Sequence, residues 1–132
     1  MNIYRWDDNV IYPQSVVVLD INKIKDINDK FGREAGDEVI KKVASVLINN
    51  QVENTDIIRS GGDEFLIYMV GYQEKDVIEY TKKLMQEMEN IPNSTGVSIG
   101  YSMILDDVKS VDDAINEAII MMSKNKDKNS NG

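Results

Sequence analysis

The chain contains neither cysteine nor histidine among its 132 residues. It therefore has no disulfide, no thiolate metal site and no cysteine nucleophile. The absence of histidine also removes the commonest zinc ligand and the commonest general base. Any catalysis must use carboxylates, lysines, hydroxyl groups and metal ions that prefer oxygen ligands, such as Mg2+.

Long apolar runs and an excess of basic residues are also missing. No stretch approaches the roughly 18 consecutive apolar residues of a membrane span, and the N-terminus lacks the basic and then apolar layout of a signal peptide. We therefore expect a cytoplasmic location and no membrane contact by this domain. The net charge of −8 repels nucleic-acid backbones, so no nucleic-acid partner is expected. An anionic nucleotide needs local compensation by metal ions or a few lysines.

The hydrophobic pattern predicts one α+β domain of the ferredoxin-like or palm type. A hydrophobic content of 42% over 132 residues suits a single globular core. The periodicity predicts the order βααββαβα, with helices packed on one face of the sheet. Residues 1–14 are expected to be an irregular segment, 15–129 the domain and 130–132 a disordered tail. The predicted strands are 15–21, 56–60, 65–70 and 96–104, and the predicted helices are 22–31, 35–49, 74–89 and 111 to about 124.

Carboxylates from distant parts of the sequence are predicted to meet at one edge of this sheet. In a ferredoxin-like sheet the first strand pairs antiparallel with the second strand of the hairpin, so its end lies beside the hairpin tip. Asp20 is at that strand end, and Asp63 and Glu64 are at the tip. Like charges this close repel one another unless cations lie between them. Hard divalent ions fit, and palm-type phosphoryl transfer uses a two-metal site of this kind.

Two motifs carry a resemblance to a known family. The segment GGDEF at 61–65 lies between two predicted strands. The upstream segment at 20–29 reads DINKIKDIND, and FGREAGDE follows at 31–38. Together these segments resemble the GGDEF family of diguanylate cyclases over about residues 15–129. The resemblance implies a nucleotidyl-cyclase-like fold that condenses two GTP molecules into cyclic di-GMP and needs a homodimer for catalysis.

The resemblance also implies a metal and catalytic set. Asp20 and Asp63 match the metal-binding carboxylates, and the carbonyl of Ile21 matches a further ligand. The implied cofactor is Mg2+ or Mn2+, with two ions per active site. Glu64 matches the second acidic position of the motif, where it is a candidate base or metal neighbour for the ribose 3′-hydroxyl of GTP.

A GTP-binding set follows from the same resemblance. Asn28 and Asp37 match the residues that read the guanine edge. An aspartate accepts hydrogen bonds from guanine N1–H and the exocyclic amine, so the pair suits guanine over adenine. The phosphate-binding positions are backbone amides after the first strand, a glycine that admits close approach, and a basic pair on one face of the last helix. These positions are Lys23, Ile24, Lys25, Gly62, Lys124 and Lys128.

Departures from the family pattern keep other functions open. Residues 1–14 lack the segment Leu-Thr-Gly-Leu-x-Asn-Arg that is usual in the family. The last helix reads IIMMSKNKDKN where Ala-Leu-Tyr and a later glycine are usual. One alternative is a catalytically silent module that binds GTP or serves in dimerisation and regulation. For either function we expect a regulatory sensor domain or parent protein as a partner. Another is a palm domain that makes a different cyclic dinucleotide, which Asp37 disfavours.

The same residues also have purely structural interpretations. Asp20 is placed to cap the next helix, and Asp63 and Glu64 are ordinary charges for a hairpin tip. Lys124 and Lys128 suit a solvated helix end, where the helix dipole favours cations.

Overall fold

The computed structural model describes the backbone of residues 11–131 and the side chains of residues 11–126. The predicted α+β order is confirmed, and the element ends agree within two residues except in the last helix, which continues to Asn131. Most of the predicted irregular segment at 1–14 lies outside the described residues, and the domain limits stay predictions. No described helix combines the length and the apolar character that a membrane span needs. The strands are β1 Gln14–Ile21, β2 Thr55–Arg59, β3 Glu64–Val70 and β4 Val97–Ile104, and the helices are α1 Ile24–Phe31, α2 Arg33–Asn49, α3 Glu74–Met88 and α4 Val111–Asn131.

The four strands form one sheet in the order β2-β3-β1-β4. All neighbours pair antiparallel, with β1 between β3 and β4. Every residue of β1 is buried, because its apolar side chains alternate between the two faces of the sheet. The central position of β1 puts its C-terminal end beside both the hairpin tip and the start of β4.

The expectation that all helices lie on one face of the sheet is wrong. Val17 and Leu19 of β1 share a core with side chains of α1, α2 and α3. Val16 and Val18 share a second core with α4 on the opposite face. A strand that is apolar on both faces has to be covered on both, and α4 supplies the second layer.

Small residues let α4 lie directly on β4. Gly100 faces α4, and a Cβ atom built on it would lie 2.0 Å from the carbonyl oxygen of Ala118 and 2.5 Å from the amide nitrogen of Met122. Ala114, Ala118 and Met122 are buried at four-residue intervals along the facing side of α4. The backbones of helix and strand are therefore in contact, which fixes the position of the residues that follow Met122.

The outer edge of β4 is capped by side chains. Alternate backbone groups of β4 point away from β1, and β4 is the last strand on that side of the sheet. The amide group of Asn125 donates to the Ile99 carbonyl at 2.8 Å, and the Lys109 ammonium donates to the Met103 carbonyl at 2.8 Å. The N–H of Tyr101 donates to the sulfur of Met121 at 3.4 Å.

Candidate functional site

The predicted meeting of strand end and hairpin tip is confirmed. In the sheet register Asp20 of β1 stands opposite Glu64 of β3 on one side and Ser98 of β4 on the other. The N–H of Ile21 donates to the carbonyl of Asp63 at 3.0 Å. Because paired residues point to the same face, Asp20 and Glu64 both lie on the α4 side of the sheet.

Backbone and arginine contacts hold the hairpin tip. The N–H of Ser60 donates to the Glu64 carbonyl at 3.0 Å and closes the turn. The Arg59 guanidinium donates to the carbonyls of Gly61 at 3.2 Å and Gly62 at 2.6 Å. Arg59 was not among the residues predicted from the sequence. Its position two residues before the glycine pair was the signal that could have identified it as a contact of the turn. These hydrogen bonds fix the backbone of the turn and therefore the point from which the Asp63 side chain extends.

A lysine that the sequence analysis missed pairs with Asp20. The Lys126 ammonium donates to Oδ2 of Asp20 at 2.6 Å, and the Asp20 side chain is only 10% exposed. Its hydrogen bond to Asp20 raises the pKa of Lys126, as do the charges of Asp20, Asp63 and Glu64, while burial acts in the opposite direction. Lys126 therefore stays charged and lies in the field of all three carboxylates. The signal was the four-residue spacing on α4, which runs from Ala118 through Met122 to Lys126.

Lys124, which was predicted to bind phosphate together with Lys128, does not face the sheet. Lys124 is exposed and follows Met122 by two residues, about 200° around the helix. It therefore points away from the face that packs on the sheet. The side chain of Lys128 lies outside the described side chains. The phosphate contacts of both residues stay predictions.

Asn28 packs against α2 beside Asp37. Gly36 is buried, and a Cβ atom on it would lie 1.8 Å from Oδ1 of Asn28. That Oδ1 is buried and has no hydrogen-bond partner among the described residues. Asp37 follows Gly36 on α2 and is exposed. A buried acceptor without a donor is rare in proteins and marks a place where a ligand or water can supply one.

The turn between β1 and α1 leaves a helix N-terminus open. Lys23 has left-handed backbone angles, φ 53° and ψ 40°, and provides no side-chain cap for α1. Lys23 and Lys25 are exposed there. The free N–H groups of a first helical turn, with positive side chains beside them, attract an anion such as phosphate. The turn is anchored through buried Asn22, whose Oδ1 accepts from the Ser98 hydroxyl at 2.8 Å.

The chemistry of the strand end suits a hard cation. Carboxylates of Asp20 and Asp63 and a backbone carbonyl are the ligands that Mg2+ and Mn2+ prefer. The Lys126 ammonium on Asp20 shows that this position attracts positive charge. Within residues 11–126, no three acidic side chains converge closely enough to form a complete metal-binding group.

A sizeable cavity lies elsewhere. About 780 Å³ of space opens along β4 and α4, where it is lined by Glu74, Tyr101, Lys109, Glu117 and other residues. None of the predicted site residues lines it. The candidate site is instead the open end of the sheet around Asp20, which in the described part of the chain offers charged side chains and backbone groups rather than an enclosed cavity.

Comparison with known proteins agrees with the motifs. The family described as diguanylate cyclase, GGDEF domain, matches residues 5–132. The diguanylate cyclase DosC of Escherichia coli strain K12 is 32% identical over 93 residues, which cover 69% of this chain and 20% of that protein. The chain therefore spans about a fifth of the length of this curated relative.

Solved structures share the fold. The GGDEF domain of DgcB from Caulobacter crescentus, in complex with c-di-GMP, has a TM-score of 0.80 at 24% identity, covering 88% of this chain and 73% of that one. The active GGEEF domain of a diguanylate cyclase from Vibrio cholerae has a TM-score of 0.80 at 23% identity, covering 88% and 78%. With the family match over residues 5–132, these likenesses lead to one conclusion: the chain belongs to the GGDEF family of diguanylate cyclase domains.

Proposed function

We propose that this domain is a diguanylate cyclase, which binds GTP with divalent metal ions and joins two GTP molecules into cyclic di-GMP. The observation that carries the proposal is the meeting of Asp20 with the hairpin tip that bears Asp63 and Glu64. Acidic residues at one sheet end repel one another unless cations lie between them. With cations they form the oxygen-rich centre that phosphoryl transfer uses.

GTP is proposed to lie between this centre and the start of α2. Asn28 and Asp37 are proposed to bind the guanine base. The unpartnered Oδ1 of Asn28 supports that role, because a bound base could donate the hydrogen bond that this atom lacks. The uncapped N-terminus of α1, with Lys23 and Lys25 exposed, supports a triphosphate at the β1–α1 turn. Gly62 leaves the tip open, since a Cβ there would meet nothing within 4 Å.

The reaction forms a bond between the 3′-oxygen of one GTP and the α-phosphorus of the other. The bond between that phosphorus and the β-phosphate oxygen breaks, and pyrophosphate leaves. A second round in the opposite direction closes the ring. Glu64, at the hairpin tip, is proposed to accept the proton of the 3′-hydroxyl, directly or through water. Bound Mg2+ or Mn2+, proposed at Asp20, Asp63 and the Ile21 carbonyl, supplies charge stabilisation at the phosphoryl group.

Two domains must face each other, because each is proposed to hold one GTP. Activity is therefore expected to depend on dimerisation. The chain covers 20% of DosC, so a regulatory sensor domain or parent protein is proposed to bring the two copies together. We expect the domain to work in the cytoplasm, where GTP is available.

The direct test is product formation by the wild-type domain. The protein is fused to a dimerising coiled coil and incubated with GTP and Mg2+, and cyclic di-GMP is measured by mass spectrometry. We expect product from the fused dimer, little from the monomer at the same concentration, and none after chelation of the metal. Replacement of GTP by ATP is expected to give no product, because Asp37 cannot accept from the N1 of adenine, which carries no hydrogen. Formation of another cyclic dinucleotide would contradict the proposal.

The alternative function is a silent module that binds GTP without turnover. The ion pair between Lys126 and Asp20 is the observation that favours it, since it places a side-chain cation on a proposed metal ligand. The same assay separates the two functions. Metal-dependent GTP binding by the fused dimer without any cyclic di-GMP would establish the silent module.

A Gly36→Ala substitution is expected to weaken GTP binding while leaving the fold intact. The added Cβ would lie 1.8 Å from Oδ1 of Asn28, so the flexible amide must move away from the guanine site. Loss of its hydrogen bonds is expected to weaken GTP binding about tenfold, measured by calorimetry. The melting temperature should stay the same or rise, because alanine favours helix over glycine by up to about 1 kcal/mol.

A double-mutant cycle provides the control for this change. If Gly36→Ala acts through Asn28, the double variant with Asn28→Ala should bind GTP no more weakly than Asn28→Ala alone. Additive losses would show that the glycine affects binding by another route.

A further inference from the structure

Lys126 reaches the carboxylate centre because of its place on α4. The backbone of α4 lies directly on β4 at Gly100, Ala118 and Met122. Lys126 lies one turn beyond Met122 on the same side of the helix. There the sheet ends at Asp20, and the ammonium donates to Oδ2 at 2.6 Å. The ion pair is therefore set by the packing of a buried helix face, and a freely moving surface lysine would not produce it.

The pair has a specific electrostatic task. The Asp20 side chain is 10% exposed, whereas Lys126 is 43% exposed. A nearly buried carboxylate without a positive partner is strongly disfavoured, and Asp63 and Glu64 nearby add repulsion. Lys126 therefore stabilises the charged cluster when no other cation is bound.

A divalent ion bound at Asp20 would share one carboxylate with the Lys126 ammonium. A metal ion about 2.1 Å from one carboxylate oxygen would lie within a few ångströms of the ammonium, which is 2.6 Å from Oδ2. The two cations would repel each other strongly at this separation. Binding at Asp20 is therefore a competition between a side-chain cation and an external one.

We propose that Lys126 is an internal counter-cation of the metal site, which holds Asp20 in the metal-free protein and competes with a divalent ion for this carboxylate. The inference rests on the proposed function, because it assumes that Asp20 is a metal ligand. Lys126 then lowers the affinity for metal ions in the absence of nucleotide. It also reduces the repulsion among Asp20, Asp63 and Glu64 when no metal ion is bound.

The test is calorimetric titration of Mn2+ into the nucleotide-free protein. We expect Lys126→Met to bind Mn2+ roughly fivefold more tightly than the wild type, which is the scale of a partly exposed charged hydrogen bond. Lys126→Arg keeps the cation and should bind as the wild type does. Lys75→Met, at an exposed position of α3, changes the net charge equally and should alter the Mn2+ affinity by less than about twofold. In thermal melts without metal, Lys126→Met should be less stable than the wild type, and Mn2+ should restore it.

The outcomes distinguish failure of the counter-cation role from failure of the proposed metal site. Equal Mn2+ affinity of wild type and Lys126→Met, with Asp20→Asn unable to bind, would overturn the counter-cation and leave the metal site standing. Weaker binding by Lys126→Met would overturn it as well. Absence of Mn2+ binding by the wild type and by Lys126→Met would overturn the metal site itself. If Lys126→Met does not fold, the wild-type affinity of Lys126→Arg combined with stronger binding by Lys126→Gln supports the inference, and an unchanged Lys126→Gln overturns it.

Discussion

Replacing Asp63 with alanine is expected to reduce cyclic di-GMP formation by at least about a thousandfold. The residue lies at the braced hairpin tip, and its backbone carbonyl is tied to the end of β1 beside Asp20. The substitution removes one of the proposed metal-binding carboxylates while leaving the turn hydrogen bonds in place. Loss of metal-assisted charge stabilisation is worth several kcal/mol at the transition state, which corresponds to about three powers of ten in rate.

The matched control is Asp107→Ala, assayed as a fused dimer with GTP and Mg2+. Asp107 is exposed and follows the far end of β4, so the substitution changes the net charge equally without touching the carboxylate centre. We expect Asp107→Ala to keep wild-type turnover. Asp63 is half-buried at a loop tip, so its loss should leave the melting temperature nearly unchanged. Wild-type turnover by a folded Asp63→Ala protein would refute the proposed site.

The largest effect on folding is expected from Gly100→Ala. The new methyl group would lie 2.0 Å from the Ala118 carbonyl oxygen and 2.5 Å from the Met122 amide nitrogen. These are backbone atoms of α4, so no side-chain rotation relieves the clash and the helix must move off the sheet. We expect a loss of at least about 3 kcal/mol in the free energy of unfolding, or roughly 10 °C in melting temperature for a domain of this size.

Gly62→Ala is the matched control for stability. A Cβ at that position meets nothing within 4 Å, so the melting temperature should not change by more than about 2 °C. The free energy of unfolding of both variants is measured by urea unfolding followed by circular dichroism. A Gly100→Ala protein as stable as the wild type would mean that α4 does not rest on β4 as described.

The sequence predicted the meeting of the β1 end with the hairpin tip better than the layers around it. The alternating apolar run of β1 and the hairpin motif were enough to bring Asp20 to Asp63 and Glu64, because antiparallel pairing leaves few other arrangements. The position of α4 was predicted wrongly. Periodicity shows which side of a helix is apolar, but it does not show which face of the sheet that side covers.

The basic side chain at the centre could not be chosen by motif matching. The family pattern assigned phosphate binding to Lys124 and Lys128 and gave no role to Lys126, which the structure brings to Asp20. The difference arises from helix phase, which the contact of Gly100 with α4 fixes and which a motif does not encode. The packing of Asn28 on Gly36 was also beyond the sequence. The motif placed both residues, but the orphaned amide oxygen emerges only from the crossing of α1 and α2.

The side-chain caps on β4 bear on how two copies can approach each other. An uncovered edge strand is a template on which a second copy can extend the sheet, and this is a common route to aggregation. Asn125, Met121 and Lys109 occupy backbone groups that such an intruding strand would need. Pairing through this edge would first have to break those contacts. Pairing of two copies through β4 is thereby disfavoured, and encounters between copies are left to other surfaces.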